Sequence, residues 1–218
     1  MIVDHMNVIW LGGDVFLMRL IGRGAFPLFC YAVAAATLRA KTPEGVGPYV
    51  LKLLVLAALV QPFYQFAFDK EMANVIFTLA AGGAVAALPA KIKPPYMYLL
   101  YAGACVSMLL PLSLEYGLAG ILLPSAILRV LSGQKIFYPA ILLLLVFINA
   151  GGALDILQEG IGPAGWNAYL LASLAAIFLP LIVLQVAKDL AQTKRFLSKY
   201  ALHIFYPTHL VLLKLVSM

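Results

Sequence analysis

Asp4 and His5 stand side by side in a run of apolar residues, and Arg23, Asn74 with Thr78, and His209 recur in the same kind of setting farther along the chain. Histidine takes and returns a proton near neutral pH, and a carboxylate beside it holds its tautomer and supports its charged form. Arginine clamps an anion or stabilises a developing oxyanion. These are the parts of a centre that moves a proton and holds an anion or a developing oxyanion. Adjacent residues on a helix diverge by about 100°, so one of Asp4 and His5 faces a cavity while the other braces it. The alternative is a structural Asp-His pair that knits helices together.

Arg23 lies within Gly22-Arg23-Gly24-Ala25-Phe26-Pro27, where two glycines let a bulky or anionic group approach the backbone and Pro27 kinks the segment. Its alternative is an ion pair with Asp4 on a neighbouring helix, and the two readings are compatible. Asn74 and Thr78, four apart, share a helix face with Phe77 beside them. That face serves ligand contact or hydrogen bonding between helices. Tyr206 and His209, three apart, share another face near Pro207, whereas His203 points elsewhere. Glu115-Tyr116-Gly117 marks a turn that either contacts substrate or is an ordinary polar loop.

The elements that must carry these groups are membrane helices. The chain is 64% hydrophobic and 11% charged, with a mean hydropathy of +0.99, too little polar surface to cover a soluble core. An ionisable group at bilayer depth costs several kcal/mol unless it pairs or lines a wet cavity, so Asp4, His5, Arg23 and His209 are functional candidates. Residues 1–218 form one all-α transmembrane domain. The net charge of +6 sits in loops between apolar runs, so it orients the chain in a bilayer and implies no nucleic acid. Cys30 and Cys105 lie in apolar runs without ligand spacing, so neither a disulfide nor a metal site is expected.

Apolar runs at 1–12, 15–38, 48–68, 74–90, 96–113, 116–133, 136–153, 167–187 and 200–218 predict about eight full spans and a partial first helix. The first run begins at Met1 already apolar and is too short to cross, so either its first half is missing or it never crosses. No cleavable signal is expected, because the N-terminus lacks a basic region. Arg39, Lys41, Lys91, Lys93, Arg129, Lys135, Lys188, Lys194, Arg195 and Lys199 fall in alternate loops, diluted by Glu44 and Asp189, and predict the cytoplasmic side. Asp14, Asp69, Glu71, Glu115, Asp155 and Glu159 mark the other side, where Lys70 is the single base. The C-terminus is then outside.

Five short motifs in order carry a resemblance. Met1-Ile-Val-Asp4-His5, Gly22 to Phe29, Asn74-Val-Ile-Phe77, Glu115 to Gly120 and Phe205-Tyr206-Pro207-Thr208-His209-Leu210 together resemble the TraX family, typified by a conjugative pilin acetylase. The resemblance covers nearly the whole chain. It implies a bacterial inner-membrane protein that acetylates the amino terminus of a membrane-held pilin, and kinship with transmembrane acyltransferases that use cytoplasmic acyl-CoA and an intramembrane histidine.

On that reading acetyl-CoA is the donor, a pilin-like or other envelope protein the acceptor, and no metal takes part. His5 is the general base, Asp4 orients it, and Arg23 with Asn74 or Thr78 stabilises the thioester oxyanion. Glu115, Tyr116, Tyr206 and His209 line the substrate site. Two other classes fit the same residues: a proton-coupled transporter, against which stands the lack of an inverted repeat, and a pilin-assembly or export partner without catalysis.

Overall fold

A computed structural model describes residues 1–40, 42–69, 71–88, 94–107, 116–149, 163–190 and 201–218. Every named element in them is helical: α1 (Ile2–Leu11), α2 (Phe16–Arg23), α3 (Ala25–Ala40), α4 (Pro43–Phe68), α5 (Val75–Ala87), α6 (Pro94–Ser107), α7 (Gly117–Leu131), α8 (Tyr138–Asn149), α9 (Pro163–Leu190) and α10 (Ala201–Val216). The 3-10 turn Lys135–Phe137 leads into α8.

Three stretches are long and apolar enough to cross a bilayer: Phe16–Ala40, which joins α2 to α3, Gly45–Phe68 in α4, and Tyr169–Val186 in α9. The eight full spans expected from hydropathy are therefore not matched one for one by long helices. Five other apolar helices run 10–17 residues, or about 15–25 Å at 1.5 Å per residue, against a hydrocarbon thickness of about 30 Å. Local capping chemistry sets these lengths. Asn74 starts α5 by accepting a hydrogen bond from the Ile76 N–H, Gly12 in the left-handed conformation stops α1, and Thr42 followed by Pro43 opens α4.

Close contacts fix the helix directions. The Phe26 ring at the start of α3 stacks on Tyr116 at the start of α7, with centroids 3.9 Å apart. A methyl placed on Gly120 would meet Thr78 Cγ2 at 3.0 Å, and one on Gly82 would meet Pro124 Cγ at 2.8 Å. Positions 78 and 82 of α5 thus advance with 120 and 124 of α7, and α3, α5 and α7 run parallel. Helix α4 runs against them, since Val50 lies beside Gly83 while Ala57 and Gln61 bond Asn74. Arg39, Arg129 and Lys135 consequently gather at one end of the bundle, and Asp69 caps α4 at the other. These four charges fall at opposite ends as expected, while Lys41, Lys91, Lys93, Lys194, Arg195, Lys199, Glu115, Asp155 and Glu159 lie outside the described residues.

The buried cluster joins Phe26, Cys30 and Val33 of α3, Val60 and Tyr64 of α4, Leu79 of α5, Tyr101 of α6, Leu123 of α7, Leu144 of α8 and Leu210 of α10. Leu17, Leu51, Leu59, Leu99 and Leu181 are exposed, a surface that hydrocarbon would cover at no cost.

Candidate functional site

Helix α1 is too short to hold itself in place, and three contacts do it. Asn7, fully buried, clasps the turn into α2 by donating from Nδ2 to the Val15 carbonyl at 3.1 Å and accepting from the Val15 N–H at 3.0 Å. The Gly13 N–H donates to the Asn7 carbonyl at 2.9 Å. Trp10 Nε1 donates to the Leu213 carbonyl of α10 at 2.8 Å. Pairing of Trp10 with Leu213, and of position 5 with position 209, sets α1 and α10 side by side in the same direction.

That alignment brings His5 and His209 together. His5 Nδ1 lies 2.9 Å from His209 Nε2 in a buried contact, with the two ring planes 2° apart. His209 Nδ1 lies 2.9 Å from the Phe205 carbonyl one turn back. Aromatic rings close around the pair: Phe68 edge-on to His5 at 5.0 Å, Tyr206 edge-on to His209 at 5.4 Å and to His5 at 6.3 Å, and Phe205 stacked on His209 at 5.0 Å. No other described residue is hydrogen-bonded to the His5 ring, so Nε2 is left for a reacting proton. His5 and His209 are 9% and 6% exposed, enclosed but not sealed. Because Phe68 is the last residue of α4, the pair sits toward the Asp69 end. Along α4, the 18 residues from the Val50 level to Phe68 amount to about 27 Å, so the basic end is far from the pair.

Asp4 takes the other face of α1. A methyl on Gly22 would lie 2.4 Å from Asp4 Cβ and 2.8 Å from Oδ1, so the carboxylate side chain occupies the space that a side chain on α2 would need. Arg23, the amino terminus and Arg19 all lie near enough to favour the charged carboxylate. Hence the structure brings His5, His209 and Tyr206 into one cluster and Asp4 and Arg23 into another, with α1 between them. The ring nitrogen that Asp4 was expected to hold is met instead by His209.

Asn74 is fully buried and fully engaged. Its Oδ1 accepts from the Ile76 N–H, while Nδ2 donates to the Ala57 carbonyl and to Gln61 Oε1, each at 2.9 Å. Gln61 also accepts from the Asn74 N–H at 2.9 Å and donates to the Met72 carbonyl at 2.8 Å. Thr78 is buried against Gly120, and Tyr116 takes a left-handed φ of 64° beneath Phe26. Glu115 lies outside the described residues. Asn7 and Gln61 escaped the sequence reading, and their signal was an uncharged amide inside an apolar run.

This network makes a clear prediction. Asn74→Ala should lose the cap, leaving the Ile76 N–H without its acceptor, together with the bonds to Ala57 and Gln61, costing about 2–4 kcal/mol, and Asn74→Ser, whose hydroxyl can still cap the helix without adding charge, should cost less. Thermal unfolding in detergent reads the effect. A midpoint for Asn74→Ala equal to that of the parent would refute a structural role for the amide.

The family model described as TraX protein matches residues 1–217, the whole chain but its last residue. No curated protein and no solved structure matches it.

Proposed function

The chain belongs to the TraX family, and from that premise we propose that it is a membrane-embedded acetyltransferase. It moves an acetyl group from acetyl-CoA to an acceptor amine at the outer side of the bacterial inner membrane, the amino terminus of a pilin-like protein being the acceptor that fits best. The single observation that supports this reading is His5: an enclosed imidazole with Nδ1 held by His209 and Nε2 unengaged by any other described residue.

In the reaction the neutral acceptor amine attacks the acetyl carbonyl carbon with its nitrogen lone pair, and Nε2 takes the proton which that nitrogen sheds as the bond forms. The carbon–sulfur bond breaks, the amide forms, and the proton passes from His5 to the departing thiolate. Arg23, half-buried near Asp4 and across α1 from His5, acts on the tetrahedral intermediate only as a positive charge at a distance and not as a hydrogen-bond donor to its oxyanion. The site carries its donors and acceptors in apolar surroundings, where each counts for more than in water.

In the bilayer the chain makes about eight crossings, with the short α1 beside the last. The Arg39, Arg129 and Lys135 end faces the cytoplasm by the positive-inside rule, and the C-terminus is outside. Acetyl-CoA, an anion, is drawn to the basic end. The amine arrives from the Asp69 side, close to His5. Cysteines placed at Lys93 and Gln192 should therefore be protected from impermeant reagents added outside, while those at Asp69 and Gln158 should label. Labelling of both sets from one side would overturn the orientation.

The activity itself is tested with protein purified in detergent, acetyl-CoA and an N-terminal peptide of the acceptor. Mass spectrometry should find the peptide heavier by one acetyl group at its amino terminus. To name the acceptor, envelope proteins from cells with and without the gene are compared in the same way. If no envelope component and no peptide gains an acetyl group, the acetyltransferase reading falls.

A further inference from the structure

Resting on the reading of His5 as the base, we propose that His209 is its positioning residue, a neutral imidazole that fills the place a carboxylate holds in other histidine dyads. Hydrogen-bond direction carries the inference. A carbonyl oxygen only accepts, so the 2.9 Å contact between His209 Nδ1 and the Phe205 carbonyl puts a proton on His209 Nδ1. In neutral His209 the other nitrogen, Nε2, is then an acceptor. His5 Nδ1, 2.9 Å away, must be its donor. The proton of neutral His5 is thereby fixed on Nδ1, and its lone pair is on Nε2, which no other described residue engages.

A turn of α10 thus sets the tautomer of a ring on α1, 204 positions away in sequence. When Nε2 of His5 gains the acceptor's proton, the positive charge spreads over two rings. The Nδ1 proton of His5 can move across to His209, which then donates from both nitrogens, to Phe205 and to His5. Nothing else need be protonated and the step is reversed when the thiolate leaves. The choice of partner follows from the solvent: a carboxylate at this depth would have to be kept ionised in apolar surroundings, whereas a second imidazole adds no charge until the reaction supplies it. Asp4, turned onto Gly22 across α1, is not in that position.

Two substitutions separate positioning from packing. His209→Leu fills the space without an acceptor, and His209→Gln puts Oε1 near the place of Nε2. In the peptide acetylation assay, His209→Leu should lower kcat by roughly 10²-fold or more, short of the roughly 10⁴-fold that a wrong tautomer costs where the partner is a carboxylate, with the KM for acetyl-CoA within about twofold of the parent. His209→Gln should recover at least about tenfold of the loss. Ring-nitrogen NMR of the detergent-solubilised protein should show the His5 proton on Nδ1 in the parent and distributed between the nitrogens in His209→Leu. An unchanged kcat in His209→Leu, a glutamine variant as inactive as the leucine variant, or a parent His5 protonated on Nε2 would overturn the proposal. If His5→Ala retains full activity, the base assignment fails instead, and the NMR result still decides whether His209 fixes the ring.

Discussion

His5→Ala should abolish acetyl transfer while the protein still inserts and still binds acetyl-CoA. Removing a positioned proton acceptor costs roughly 10²–10⁴ in rate, and an amino terminus, with an ordinary pKa of about 7.7–8.0, is mostly protonated at pH 7, which keeps the background reaction low. The fold should survive. Helix α1 is held by Asn7 on Val15 and Trp10 on Leu213, and by Asp4 packed into the gap at Gly22, none of which involves the imidazole. What is lost is the contact with Phe68 and the bond to His209. The measurement is product per unit time from purified variant and parent at equal concentration, with acetyl-CoA binding followed separately. Undiminished product from His5→Ala would remove the residue from the chemistry, and loss of acetyl-CoA binding along with activity would turn it into a donor contact.

The same residue shows what a sequence discloses and what it hides. His5 and His209 were both visible as ionisable groups in apolar runs, because lipid makes such groups expensive and therefore informative. Their pairing was not visible, since it depends on α1 and α10 lying parallel, and parallel packing leaves no periodic trace across 204 positions. Asp4 beside His5 suggested the wrong neighbour for the ring nitrogen for a geometric reason: on a helix the next residue faces away. Asn74 and Thr78 read as one helical stripe, but Asn74 is the residue before α5 and spends its amide on capping and on Gln61. Hydropathy disclosed an all-helical apolar chain, and with it the placing of Arg39, Arg129 and Lys135 at one end of the bundle and Asp69 at the other. It did not disclose helix length. The apolar runs begin or end at Gly12, Asn74 and Tyr116, where the backbone also starts or stops, but α5 closes at Ala87 and α7 at Leu131, inside their runs, so apolar runs outnumber the helices long enough to cross.

The bundle that holds α4 and α10 in register depends on how closely α5 approaches α7, and Gly82→Ala should break that approach. The added methyl would lie 2.8 Å from Pro124 Cγ, 3.3 Å from Pro124 Cδ and 3.0 Å from the Ile121 carbonyl oxygen. A side chain could swing away, but a proline ring and a helix carbonyl cannot, so the helices must separate and lose their packing along the whole crossing. Overpacking of this kind costs about 1–3 kcal/mol in a soluble core, and in lipid, where close van der Waals contact is a main force between helices, the loss should be at least as large. Gly103→Ala is the control, because nothing lies within 4 Å of the position where its methyl would go, and it should be neutral or slightly stabilising as alanine is the better helix former. Pro124→Ala should partly rescue Gly82→Ala by removing Cγ and Cδ, leaving the Ile121 carbonyl as the remaining close contact. The two substitutions would then couple rather than add. Thermal midpoints of the four proteins in one detergent decide the matter: a Gly82→Ala protein as stable as Gly103→Ala, or additive effects with Pro124→Ala, would mean that α5 and α7 do not meet at this glycine.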